Sequence, residues 1–159
     1  LMALAKPYLK EYAQILDPFC GVGTLLMERR FAVPARNAYG IDTFGEAIEK
    51  ARVNSKIAGM QTNYINRDYF DFVHDYKFDE IVTDLPAGNL SKPELDDLYR
   101  RFFEKSDKVL AEDGRMIFFS REMGLVKKQL RLHPQFRLAQ EFCIQEKNGS
   151  YLFIVEKRQ

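Results

Sequence analysis

The sequence predicts an α/β fold: a doubly wound, mostly parallel seven-stranded sheet that closes with an antiparallel C-terminal strand. Two observations carry that expectation. Short apolar runs alternate with helical periods along the whole chain, and such alternation with short connections requires a parallel sheet covered on both faces. The last two apolar runs flank Asn148-Gly149 too closely for a crossover helix, so one of them must run against the rest.

Taken in order, LMALAKPYL reads as a short opening helix despite Pro7. A strand over 14–19 precedes a helix over 24–31 that stops near Pro34. A second strand at 38–41 leads to a helix from Gly45 to about Ala58, with Gly59 as its natural C-terminal stop. A short third strand covers 64–66 and a fourth 78–83. Ser91-Lys92-Pro93-Glu94 has the spacing of a capping box, and Leu95, Leu98, Phe102 and Val109 continue an apolar helical stripe behind it. A strand at 115–120, a helix at about 123–132 and strands at 136–145 and 151–156 complete the chain.

With 159 residues, 46% of them hydrophobic and 30% charged, the chain is sized for one globular domain, expected over 1–159. It opens Leu-Met-Ala-Leu-Ala without an initiator methionine, and is read as a C-terminal fragment of a longer protein. No apolar run approaches the roughly 20 residues that span a bilayer, and no signal-peptide pattern opens it. Cys20 and Cys143 lack metal-ligand spacing, and His74 and His133 are isolated. Free thiols, no metal, no membrane and a cytoplasmic location are therefore expected. The net charge of +1 excludes no partner. Arg115, Arg121, Lys127, Lys128, Arg131 and Arg137 share a stretch whose only acid is Glu122, which reads either as a phosphate-facing patch or as a solvated helix face.

In open α/β sheets ligands bind outside the carboxyl ends of the strands. Four successive ends here read DPFCGVGT (17–24), GID (40–42), NRD (66–68) and TDLPAG (83–88), each with an aspartate. One such aspartate is ordinarily a turn or cap residue; four on one edge call for a ligand. Gly21 and Gly23 allow close backbone approach before a helix N-terminus. Leu26 occupies the third position of G-x-G-x-x-G, so this is not the dinucleotide fingerprint. Asp42 falls about 20 residues after the glycines, where an acid accepts from both ribose hydroxyls. Asp68 stands where it can accept from an adenine amine. The ligand so described is an adenosine without phosphates, which points to S-adenosylmethionine rather than NAD.

These residues resemble the class I S-adenosylmethionine-dependent methyltransferases, with their Rossmann-like fold. More narrowly they are similar to the nucleic-acid amino-methyltransferases whose fourth motif is [DN]-[PL]-P-[YF], and above all to the RNA guanine-N2 methyltransferases that carry an upstream THUMP RNA-binding domain. The resemblance implies that Asp17, Phe19, Gly21 and Gly23 line the methionine end of the cofactor. It implies that Asp42 holds the ribose and that Asp68 with Tyr69 meets the adenine. Asp84, Leu85 and Pro86 are left to handle the substrate, which the family implies is tRNA or rRNA, with an RNA-binding domain upstream.

The chemistry accounts for a carboxylate at the mouth of an apolar strand. An exocyclic base amine is a poor nucleophile because its lone pair is delocalised into the ring. Asp84 and a backbone carbonyl near Leu85 or Pro86 can each accept one N–H and turn the lone pair toward a methyl donor. Ala87 departs from the family, which places a ring there to stack on the flipped base; such stacking is worth about 1–3 kcal/mol. Tyr99 and Phe19 are the candidate substitutes. Guanine N2 and adenine N6 both suit the motif. A degenerate cofactor-binding module and a small-molecule methyltransferase are the other readings, the latter lacking an insertion to build a lid.

Overall fold

The computed structural model describes residues 2–158. Its strands are β1 (Ala13–Asp17), β2 (Ala35–Asp42), β3 (Asn63–Asn66), β4 (Phe78–Asp84), β5 (Leu110–Ser120), β6 (Phe136–Gln145) and β7 (Ser150–Lys157). They form one sheet in the order β3-β2-β1-β4-β5-β7-β6. The first five pair in parallel, and β7 lies antiparallel between β5 and β6. The α-helices are α1 (Met2–Ala5), α2 (Thr24–Ala32), α3 (Gly45–Ile57), α4 (Lys92–Val109) and α5 (Met123–Leu132).

Both faces are covered. Leu26 of α2 with Ile48 and Ala51 of α3 packs on one side, against Ile15, Val82, Ile117 and Ile154. Tyr99, Phe102 and Phe103 of α4 and Val126 of α5 pack on the other, against Leu16, Ile81, Phe118 and Phe153. Two-sided burial explains why β1 is buried at every position instead of alternating.

The opening helix is shorter than expected. α1 ends at Ala5 and a 3₁₀ turn, Lys6–Tyr8, follows around Pro7, because proline cannot donate the next α-helical bond; residue 1 lies outside the described residues. β1 stops at Asp17, where the carboxylate accepts the Phe19 N–H at 3.0 Å and turns the chain out of the sheet. β5 starts at Leu110 rather than 115, with a register irregularity opposite Phe78–Glu80. The capping box is present at α4: Ser91 Oγ accepts the Glu94 N–H at 3.3 Å and Glu94 Oε1 accepts the Ser91 N–H at 3.2 Å.

Candidate active site

The sheet order reverses between β1 and β4, and the ligand crevice of such a sheet opens at that switch point. Asp17 ends β1 there, 1% exposed, and accepts the Thr83 hydroxyl at 2.6 Å from the end of β4. Burial raises its pKa to about 7, against the opposing bonds from Thr83 and Phe19, with a further rise from the Asp84 and Asp42 charges. Asp17 therefore senses the acids at the ends of β2 and β4. Such a concentration of negative potential repels a pyrophosphate and suits a ligand that carries positive charge.

The 17–24 loop turns on two glycines. Gly21, at φ +53°, has open space where a side chain would stand, and its N–H donates to Asp42 Oδ2 at 2.9 Å. Gly23, at φ +87°, is the N-cap of α2, and a Cβ there would come within 2.6 Å of the Tyr64 hydroxyl. Gly23 thus shapes the loop, while Gly21 presents bare backbone. Asp42 also accepts the Phe44 N–H through Oδ1 at 2.9 Å. That leaves each oxygen a second lone pair beside an open cleft of about 510 Å³ lined by Gly21, Asp42, Phe44 and Lys50. A vicinal diol can donate into that carboxylate.

Asp68 is exposed, and its Oδ1 accepts the Phe70 N–H at 2.8 Å, capping a 3₁₀ turn over Tyr69–Asp71. Tyr69 is 1% exposed, its hydroxyl on Ser106 Oγ of α4 at 3.0 Å. Its ring is part of the core and is not free to meet an adenine. Phe70 is the half-buried ring beside Asp68, with the Arg101 guanidinium 4.0 Å above it. Phe19 is also half-buried, edge-on to Tyr69 at 5.8 Å and to Phe70 at 6.4 Å.

Asp84, Leu85 and Pro86 line a separate cavity of about 580 Å³ together with Ala87, Glu28 and Arg121. Asp84 is exposed at the end of β4, yet the cavity walls raise its pKa by desolvation, opposed by the Arg121 charge. The Leu85 N–H donates to the Phe119 carbonyl at 3.1 Å, which anchors the loop to β5. Tyr99 also lines this cavity, but it is 1% exposed and its hydroxyl is bonded to Ser120 Oγ, so its ring forms the floor. Phe19 does not line it. Neither ring stands free in the place of Ala87.

Sequence reasoning missed two charged residues here. Glu28 follows Thr24 by one helical turn, which turns both to the same cavity; only the helix period could have signalled it. Arg121 was submerged in the basic stretch, which the structure resolves as largely neutralised. Arg115 and Arg137 pair with Glu156 at 3.2 and 2.7 Å, Lys127 with Glu141 at 3.2 Å, and Lys128 with Asp96 at 2.6 Å. A different set of cations gathers at the opposite end of β2 and β3. Arg30, Arg36, Arg52 and Lys56 line a cavity of about 640 Å³ with no acid among its lining residues. Among the described residues no helix is long and apolar enough to cross a membrane.

Comparison with known proteins agrees with this geometry. The UPF0020 family model, described as RMKL-like, methyltransferase domain, matches residues 4–149. A tRNA (guanine(10)-N2)-dimethyltransferase of Methanothermobacter thermautotrophicus is 34% identical over 105 residues, which cover 64% of this chain and 31% of that protein. The chain spans about a third of the length of the curated relatives it matches. The crystal structure of TrmN from Thermus thermophilus superposes with a TM-score of 0.84 at 23% identity, over 99% of this chain and 47% of that one. An S-adenosylmethionine-dependent methyltransferase of Clostridium acetobutylicum does so at 0.76 and 16%, over 99% and 88%. S-adenosylmethionine is the cofactor that family and fold imply, and the acids at the crevice suit its positive charge. With its glycine loop and acids gathered at the switch point of a methyltransferase sheet, the chain belongs to the UPF0020 family of RMKL-like methyltransferase domains.

Proposed function

We propose that the chain catalyses methyl transfer from S-adenosylmethionine to the N2 amine of a guanine in tRNA or rRNA, in the cytoplasm. The observation that carries this reading is the placement of Asp84, Leu85 and Pro86 on the wall of a cavity with room for a base, next to the β1 end where Asp17 and the glycine loop lie. Asp17, Phe19, Gly21, Asp42 and Asp68 with the Tyr69 backbone would hold the cofactor. When bound, it supplies an electrophilic methyl group.

The chain's own contribution is positioning and electrostatics. The Asp84 carboxylate accepts one amine N–H and the Leu85 or Pro86 carbonyl the other, which favours a pyramidal nitrogen whose lone pair is withdrawn from conjugation with the ring. Asp84 then lies beside the positive charge that develops on nitrogen. Pro86 restricts the loop and brings no donor of its own to compete for Asp84. The basic cavity at the far end of the sheet supports a polyanionic partner. Cys20 and Cys143, both free, suit a reducing compartment.

Ala87 supports a second reading, a cofactor-binding module whose base site has lost its stacking ring. Calorimetric titration with S-adenosylmethionine, NAD serving as control, joined to a methyl-transfer assay on unmodified tRNA and rRNA, separates the two. The enzyme reading expects binding that falls at least tenfold in Asp42→Ala. It also expects transfer that drops by two orders of magnitude or more in Asp84→Ala at nearly unchanged cofactor affinity. Binding without any turnover favours the module, and transfer that survives Asp84→Ala removes Asp84 from the mechanism.

A further inference from the structure

The cavity beside Asp84 contains two charges that the mechanism above does not use. Glu28 reaches it from α2, and Arg121 from the residue that follows β5. Both are exposed, and neither side chain has a hydrogen-bond or ion-pair partner among the described residues. Their neighbours are tied down. Arg29 is locked to Glu80 at 2.7 Å, and Arg30 bonds to Gln61 and Thr62 at 2.6 and 2.8 Å. Arg121 is near enough to Asp84 to lower its pKa against desolvation. Of the charged side chains that line the cavity, two are acceptors and one a donor: carboxylates at Asp84 and Glu28, a guanidinium at Arg121.

We infer that Glu28 and Arg121 read the Watson–Crick edge of the target base and restrict the site to guanine. The inference rests on the base-methylation reading above and deepens it. Along its edge guanine presents an N2 amine, then an N1–H donor, then the O6 acceptor. With the amine on Asp84, the N1–H meets Glu28 and O6 meets Arg121, so acceptor, acceptor and donor on the protein match donor, donor and acceptor on the base. An adenine that delivers its N6 amine to Asp84 presents an N1 lone pair to the Glu28 carboxylate and a C–H to Arg121. The first contact is repulsive and the second leaves a guanidinium unpaired. Discrimination therefore comes from mismatch against adenine as much as from contacts to guanine. The same three bonds give the base an orientation that Ala87 cannot supply by stacking.

The two charges act through the base and not through the fold. Because Glu28 and Arg121 are exposed and unbonded, Glu28→Gln and Arg121→Gln should leave the melting temperature and S-adenosylmethionine affinity unchanged. The test is methyl transfer from labelled S-adenosylmethionine to unmodified bulk tRNA and rRNA transcripts, with nucleoside products separated after digestion. Wild type should place label in N2-methylguanosine. Glu28→Gln should lower kcat/KM for guanine by about 10- to 100-fold, and raise the share of label in N6-methyladenosine, since a carboxamide can donate to adenine N1. Arg121→Gln should lower the guanine rate by a similar factor. Wild-type label in guanine that both variants preserve in rate and product overturns the inference and leaves the base-methylation reading standing. Wild-type label confined to adenine overturns the guanine assignment, and no label in any base overturns both.

Discussion

Asp17 shows how one side chain joins stability to the site. It is buried, it holds the end of β1 to Thr83, and its pKa stands near 7 against an ordinary 3.8. A carboxyl group raised in the fold binds more protons folded than unfolded between about pH 4 and 7. Its favourable contribution is full at the acid end of that window and is lost as pH rises through 7, by at most about 1.4 kcal/mol per unit. Asp17→Asn keeps an oxygen for Thr83 and Phe19 and removes the charge. Denaturation curves from pH 4 to 8 should be flatter for this variant than for wild type, and an unchanged slope would remove Asp17 as its source. Ala87 is the complementary case, a side chain too small for its position. Ala87→Tyr should lower KM for RNA by about 5- to 150-fold, the equivalent of one base–aromatic stack; an unchanged KM would mean that the base is held by hydrogen bonds alone. Asp42, Asp68 and Asp84 were legible as residues at or just after strand ends, because strand ends are legible. The inward turn of Tyr69 was not, since the hydroxyl it seeks, Ser106, is supplied by a helix more than thirty residues on.

At the scale of elements, helices and strands followed from periodicity and caps, as Ser91 and Glu94 illustrate. What holds the elements to one another was hidden. Arg29 is 0% exposed and forms a fork with Glu80 of β4 at 2.7 and 3.0 Å, while its remaining nitrogen reaches the Val33 carbonyl at 2.7 Å. Glu80 in turn accepts the Lys10 N–H at 2.7 Å. Nothing local marks Arg29 as buried, because its partner is 51 residues away. The network clamps α2, and with it the glycine loop, to the central strand. Glu80→Ala leaves the guanidinium buried and unpaired, and should cost about 3–5 kcal/mol in urea denaturation. A loss below about 1 kcal/mol would mean that water reaches Arg29 in the variant.

At the scale of the molecule, charge is arranged by the fold and not by the order of residues. The cations from 115 to 137 looked continuous, yet β7, α4 and β6 bring Glu156, Asp96 and Glu141 among them. Arg30, Arg36, Arg52 and Lys56, scattered in sequence, converge instead on the far cavity. If this surface meets RNA phosphates, Arg36→Glu with Lys56→Glu should weaken tRNA binding and reduce the slope of log Kd against log salt by about 2. An unaltered slope would place the phosphate contacts elsewhere. Alternating apolar runs and an Asn-Gly turn were enough, by themselves, to determine a doubly wound sheet with one reversed strand, and acids at four strand ends marked the edge proposed for the ligand. Those are local properties, set by backbone periodicity and by which residues end a strand. The tertiary structure alone decided that β7 inserts between β5 and β6, that Arg29 is buried, and that Glu28 and Arg121 line one cavity with Asp84. These depend on contacts between residues far apart in the chain, and no local pattern encodes which distant partner a charge will meet.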